Sequence, residues 1–156
     1  YRVNSKGYFN VPYGKHKTKF IPDENNLIDV SNYLKNNEIK IHNVDFANAV
    51  EHAKAKDFIY FDPPYDPISD TSNFTNYTAN GFNKDDQRRL YYTFKELSNR
   101  GCYCMLSNAS TNFIKELYKD FHIIEVQANR VLNCKGNKRG KVSEVLILNY
   151  NNQTGA

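Results

Sequence analysis

Residues 57–65 read Asp57-Phe58-Ile59-Tyr60-Phe61-Asp62-Pro63-Pro64-Tyr65, and this stretch decides how the chain folds. Four apolar residues in a row, ended by Asp-Pro-Pro, mark a strand over Asp57–Phe61 that is expected to be buried on both faces. Pro63, Pro64 and Pro67 then forbid regular structure until about Asn83, because proline lacks an N–H and fixes its own φ. Downstream, Lys84–Arg100 is the clearest helix, opened by Asp85 and Asp86 and closed by Gly101. A strand over Cys102–Leu106, a helix over Thr111–Asp120 and a strand over Phe121–Ala128 follow. A polar Lys/Gly loop leads to a last strand, Val145–Tyr150. Upstream, apolar spacing predicts a helix over Asn26–Asn36, a short strand over Glu38–Val44 and a helix over Asp45–Lys54 with Asp45 as its N-cap. Strands and helices alternate until two strands come in succession. That order predicts an α/β layered fold with a mainly parallel sheet and a terminal antiparallel strand pair.

Composition narrows the class of protein. The chain has 156 residues, a length that suits one domain with one core. Hydrophobic residues make up 40% and charged residues 24%, which excludes a wholly disordered or collagen-like chain. No apolar run approaches the roughly 20 residues needed to cross a bilayer, and no signal-peptide pattern opens the chain. The net charge of +4, from 15 Lys and 6 Arg against 17 acidic residues, permits nucleic-acid binding without demanding it. The three cysteines, Cys102, Cys104 and Cys134, read as reduced thiols of a cytoplasmic protein. Cys102 and Cys104 are expected to face opposite sides of their strand as core residues, and no metal-ligand set is expected. Tyr1 opens the sequence and Met105 is its only methionine, so a processed product or a piece of something longer is expected.

The chemistry concentrates at the exit of the first buried strand. In an open α/β sheet, ligands sit outside the carboxyl ends of the strands. Asp62 places a carboxylate there, the two prolines leave nearby carbonyls pointing outward as acceptors, and Tyr65 offers a flat ring. Two acceptors beside a stacking face suit a planar ring carrying an exocyclic NH2. A rigid strand-exit turn would also be built with two prolines.

Asp62-Pro63-Pro64-Tyr65 after Phe58-Ile59-Tyr60-Phe61 resembles the catalytic motif of S-adenosylmethionine-dependent amino methyltransferases. The following Pro67–Phe82 segment and Asp85-Asp86-Gln87-Arg88-Arg89-Leu90 are similar to the Dam-type (D12 class) adenine-N6 DNA methyltransferases. So are Leu106-Ser107-Asn108, the closing 139–147 segment and the opening 2–14 segment with its Asn10-Val11-Pro12-Tyr13-Gly14. The resemblance runs nearly end to end. It implies a partial Rossmann-like methyltransferase sheet, S-adenosylmethionine as cofactor and double-stranded DNA, with GATC as the target. Asp62, Pro63, Pro64 and Tyr65 would be the catalytic residues. Asp62 and the Pro63 carbonyl would accept the two N6 hydrogens of a flipped adenine, and Tyr65 would stack on it, a contact worth about 1–3 kcal/mol. Asp45 and Phe46, with Asp62, would lie beside the cofactor.

The same resemblance divides the chain into residues 1–22, part of a DNA-reading region, residues 23–150, the carboxyl-terminal part of a catalytic domain, and a frayed tail over 151–156. Asn4, Lys6, Asn10 and Tyr13 are the candidate base contacts, and Arg2, Lys15 and Lys17 the candidate phosphate contacts. Ser72, Asn73 and Thr75 would hold the backbone around the flipped nucleotide. Lys135, Lys138, Arg139 and Lys141 form a second basic loop that reads either as backbone-binding or as a solvated hairpin tip. The family's Phe-x-Gly-x-Gly cofactor motif is absent, so the resemblance implies a missing amino-terminal half and little activity for this segment alone. The implied home is the cytoplasm of a bacterium or phage-infected cell. Two further readings stay open at this point: a DNA-binding remnant without catalysis, and a fragment of an RNA adenine methyltransferase.

Overall fold

The computed structural model describes Tyr8 and residues 23–68, 81–129 and 141–151. It divides into two compact units, Tyr1–His42 and Asn43–Ala156.

In the first unit, α1 spans Glu24–Asn36 and starts where Asp23 caps it, its carboxylate accepting from the Asn25 and Asn26 N–H groups at 3.1 and 3.3 Å. The cap places the start two residues before the expected Asn26. The expected strand over Glu38–Val44 does not form. A strand is made by ladder bonds to a neighbour, and here the Ile39 N–H bonds only back to the Asn37 carbonyl at 2.7 Å, leaving Ile41 81% exposed.

The second unit begins with α2, Phe46–Ala49, capped by the Asp45 carboxylate as expected. It is shorter than Asp45–Lys54. Asp57 takes the Lys54 N–H at 2.8 Å, and Lys56 adopts φ 76° while its N–H bonds to the Gly101 carbonyl, so the helix cannot continue. Next come β1 (Phe58–Phe61), α3 (Lys84–Asn99), β2 (Tyr103–Ala109), α4 (Asn112–Leu117), β3 (His122–Asn129) and β4 (Lys141–Leu148). α3 is opened by a reciprocal cap: Asn83 accepts the Asp85 and Asp86 N–H groups, and Asp86 accepts the Asn83 N–H. α4 starts at the Thr111 cap and stops at Leu117, inside the expected Thr111–Asp120.

The four strands form one sheet in the order β1-β2-β4-β3. β1 and β2 are parallel, with Phe58 opposite Tyr103 and Phe61 opposite Leu106. β2–β4 and β3–β4 are both antiparallel. The expected terminal antiparallel pair is present, and the described sheet is mixed: β1, β2 and β3 run one way, and β4 enters between β2 and β3 in the opposite sense.

Register and side-chain alternation assign each residue to a face. Ile59, Phe61, Cys104, Leu106, Asn108, Val145 and Ile147 share the face packed against α3 and α4, where Leu90, Phe94, Leu97, Ile114 and Tyr118 complete the core. Phe58, Tyr60, Tyr103, Ser107 and Glu144 share the other face. There Phe58 is 59% exposed and Tyr60 51% exposed, so β1 is covered on one face and not on both. Cys102 and Cys104 are both core residues. They do not face opposite sides: positions two apart on an extended chain point the same way, and the Cys102 thiol donates to the Lys54 carbonyl at 3.2 Å. Burial pushes the Cys104 thiol up to about 11. Among the described residues, no helix is long and apolar enough to cross a membrane.

Candidate active site

The carboxyl end of β1 carries Asp62 into a turn that the prolines keep irregular. Asp62 continues the alternation of Phe58 and Tyr60 and so meets Ser107 on the neighbouring strand. Ser107 Oγ donates to Asp62 Oδ1 at 2.7 Å and accepts the Tyr60 hydroxyl at 3.0 Å. The Tyr60 hydroxyl and Ser107 thus form a short chain that holds one oxygen of the carboxylate. Asp62 Oδ2 accepts no hydrogen bond from the described residues, and Asp62 is exposed.

The rest of the turn is held from the covered face. The Pro64 carbonyl accepts from Gln87 Nε2 at 2.9 Å, and the Asp66 N–H donates to Asn108 Oδ1 at 2.9 Å. Asn108 Nδ2 donates to Gln87 Oε1 at 3.1 Å, and Thr111 Oγ1 donates to Asp66 Oδ2 at 2.7 Å. Tyr65, between these two grips, is half-buried, and its hydroxyl lies 3.5 Å from Glu144 Oε2, a long and weak bond. Burial pushes the Tyr65 phenol up from its ordinary value. No described donor is bonded to the Pro63 carbonyl.

A recess of about 220 Å³ opens beside this turn, lined by Phe46, Tyr60, Phe61, Asp62, Pro63, Pro64, Phe82 and Leu90. Phe46 reaches it because Asp45 fixes the start of α2, and its ring meets Phe82 edge-on at 6.1 Å between centroids. Arg89, from α3, covers the other side of Phe46, its guanidinium 4.2 Å from the ring centroid. The same guanidinium bonds both oxygens of Asp45, at 2.8 and 2.9 Å. That bond, with the Ala47 N–H, holds the Asp45 carboxyl below the usual carboxylate range.

Of the residues expected from sequence to act together, Phe46, Asp62, Pro63 and Pro64 line one recess. Tyr65 adjoins that wall without lining it, and Asp45 stands behind Phe46, tied to Arg89. No strand precedes the Asp45-Phe46 pair among the described residues. Arg2, Asn4, Lys6, Asn10, Tyr13, Lys15, Lys17, Ser72, Asn73, Thr75, Lys138 and Arg139 lie outside the described residues. Sequence reasoning gave no role to Tyr60, Gln87, Arg89, Ser107, Asn108 or Glu144. A signal existed for two of them: Ser107 and Asn108 interrupt an apolar strand with adjacent polar residues, which needs partners once buried.

Residues 1–132 match the model of the D12 class N6 adenine-specific DNA methyltransferases. The chain is 50% identical over 152 residues to the type II methyltransferase M1.LlaDCHI of Lactococcus lactis subsp. cremoris, covering 97% of this chain and 54% of that protein. It is likewise 50% identical over 152 residues to the type II methyltransferase M.MjaIII of Methanocaldococcus jannaschii, covering 96% of this chain and 52% of that protein. The DNA adenine methylase of Escherichia coli K12 is 32% identical over 147 residues, covering 94% of this chain and 52% of that enzyme. The chain spans about half the length of the curated relatives it matches. With a strand-end Asp-Pro-Pro-Tyr turn beside an aromatic recess and a family match over 132 of its 156 residues, the chain belongs to the D12 class N6 adenine-specific DNA methyltransferases.

Proposed function

We propose that this chain is the carboxyl-terminal portion of a site-specific enzyme that transfers a methyl group from S-adenosylmethionine to N6 of adenine in double-stranded DNA. The target is GATC, with the adenine flipped out of the duplex. The observation that carries the reading is the Asp62–Tyr65 turn. It combines a carboxylate oxygen and a carbonyl without described partners, beside an aromatic ring and an aromatic recess.

The residues present fit part of the cofactor. S-adenosylmethionine is a cation with a planar base, and the Phe46, Tyr60 and Phe82 rings with the Asp62 carboxylate suit a positive or flat group. The recess of about 220 Å³ falls below the roughly 300–1,000 Å³ of ordinary ligand pockets, so this chain would supply one wall of the cofactor site. The remaining wall would come from an amino-terminal half, and the four strands would be part of a larger Rossmann-like methyltransferase sheet. When bound, S-adenosylmethionine supplies an electrophilic methyl on a sulfonium.

This chain's own residues then deal with the acceptor. Asp62 Oδ2 and the Pro63 carbonyl take the two N6 hydrogens, which draws the nitrogen lone pair out of conjugation with the ring and makes it a nucleophile. Asp62 Oδ2 is also the acceptor at hand for the proton that N6 gives up. Tyr65 stacks on the extruded base and offsets part of the few kcal/mol lost on unstacking. Positioning carries most of the rate, since an activated methyl needs little further help. Asn4, Lys6, Asn10 and Tyr13 would read base edges, with Lys6 on guanine O6/N7. Arg2, Lys15, Lys17, Lys138 and Arg139 would hold phosphates, with Ser72, Asn73 and Thr75 along the flipped strand. Activity of this kind belongs in the cytoplasm, where the DNA is.

The test is transfer of labelled methyl groups to a GATC duplex and to the same duplex already methylated at N6. The full-length enzyme labels only the first, and Asp62→Ala abolishes the labelling while leaving the fold intact. The 156-residue chain alone transfers nothing. Near-normal turnover by the Asp62→Ala enzyme overturns the role of the turn, and ready transfer by the isolated chain overturns its reading as a partial enzyme.

A further inference from the structure

Two amide side chains lie wholly inside the second unit, and both reach the same turn. Gln87 on α3 is 1% exposed and Asn108 on β2 is 0% exposed. They bond to each other at 3.1 Å; Gln87 Nε2 donates to the Pro64 carbonyl at 2.9 Å, and Asn108 Oδ1 accepts the Asp66 N–H at 2.9 Å and the Ala109 N–H at 2.8 Å. The grips on Pro64 and Asp66 fall on either side of Tyr65. Buried amides cost stability unless they are fully bonded, and an apolar pair would fill the same space without that demand. The amides do something an apolar pair cannot. Pro63, Pro64 and Pro67 have no N–H, so the segment has few donors with which to hold its own shape, and side chains supply the missing bonds.

The chemical consequence is a choice among acceptors. The Asp62 carboxylate and the two proline carbonyls together present four acceptor oxygens. Ser107 occupies one carboxylate oxygen and Gln87 occupies the Pro64 carbonyl. Asp62 Oδ2 and the Pro63 carbonyl are left, two acceptors for the two hydrogens of one amino group.

We propose that Gln87, braced by Asn108, is a positioning residue of the methyl-transfer site: by holding the Pro64 carbonyl it leaves the Pro63 carbonyl as the acceptor and fixes Tyr65 in register with Asp62. This rests on the reading of the turn as the adenine-binding site. Gln87 acts through the backbone and does not itself touch the base.

Two variants of the full-length enzyme test it. Gln87→Glu keeps an oxygen for Asn108 Nδ2 and loses the donor to Pro64, whereas Gln87→Met loses both. Folded sites are counted by calorimetric titration with S-adenosylmethionine, and turnover is expressed per folded site. In both variants kcat falls about 10- to 100-fold, as small misplacements of reacting groups do. The dissociation constants for S-adenosylmethionine and for a GATC duplex stay within about twofold, the split expected when only the reacting geometry is disturbed. Unchanged kcat per folded site in either variant overturns the proposal. So does a loss wholly explained by weaker binding, or failure of both variants to fold, which would assign the amide pair to stability alone. Absence of methylation by the unsubstituted enzyme would instead overturn the proposed function.

Discussion

The two faces of the sheet are built from the same strands and meet opposite fates. On the face packed against α3 and α4, Phe61, Cys104, Leu106, Val145 and Ile147 are buried with Leu90, Phe94 and Tyr118 in one core. On the other, Phe58, Tyr60 and Tyr103 are about half exposed. The contrast shows where burial is concentrated. Most of the burial of large apolar groups resides on the first face, although Leu148, like Ser107 and Ala109, is buried on the second. The Asp62–Asp66 turn draws on both, with Asn108 gripping it from the covered face and Ser107 and Glu144 from the other. Alternation along one strand thus lets adjacent residues, Ser107 and Asn108, serve the same turn from opposite sides.

Substitutions on the two faces sharpen or break that division. The largest effect is expected for Phe94→Ala, since Phe94 is fully buried and meets Tyr118 and Phe121 edge-on at 5.6 and 4.9 Å. It should cost about 3–5 kcal/mol in urea unfolding. A cost near that of a surface change would mean the core lies elsewhere. On the open face, Ser107→Ala removes the donor to Asp62 and should lower turnover of the full-length enzyme about tenfold, about 1.4 kcal/mol in the barrier. Because water can reach the exposed Asp62, the thermal midpoint should barely move. A parallel fall in both would make Ser107 a stability residue.

Tyr118→Phe goes the other way. The Tyr118 hydroxyl is buried without a hydrogen-bond partner among the described residues, so deleting it should stabilise the fold by about 1 kcal/mol. Burial also pushes the Tyr118 phenol well above its ordinary value. The sign follows from linkage. The neutral phenol's share of stability is fully present below the unfolded-state pKa, near about pH 10, and is lost as the pH rises above it. Unfolding curves at pH 8 and at pH 11 should therefore diverge more for the unsubstituted chain than for Tyr118→Phe. The smallest effect belongs to Phe58→Ser, which should stay within about 0.5 kcal/mol, because the ring is already mostly in water. A larger loss would show that the open face is covered in solution.

Much of this was legible in the residues, and the failures have physical causes. Local signals worked: Asp45 and Asn83–Asp86 cap their helices through bonds spanning two or three residues, and Gly101, at φ 82°, ends the α3 turn as a glycine does. What depends on distant partners was not legible. Glu38–Val44 has a strand's composition but no neighbour among the described residues. The apolar β1 run looks the same in sequence whether one face or two is covered. The direction of β4 is set by its pairing with β2, whose partners run from Ala109–Glu144, 35 positions apart, to Met105–Leu148, 43 apart, and no local pattern encodes it. Within the site, Asp62–Tyr65 stood out because prolines and an acid at a strand end are unusual neighbours. Gln87 did not, because on a polar helix a glutamine is ordinary until the fold turns it inward against Pro64.

The placement of β4 sets a timetable. It is the last of the described strands in chain order, yet it lies between β2 and β3. A growing polypeptide that has reached Asn129 has made both of those strands, but the one that joins them has not yet emerged. The sheet therefore cannot zip up as it leaves the ribosome; it waits for Lys141–Leu148, and long-range pairing of this kind closes slowly. Glu144, beside Tyr65, arrives with that strand. A chain that stops short of Lys141 leaves β3 without its described sheet partner, an unpaired strand exposed to proteolysis.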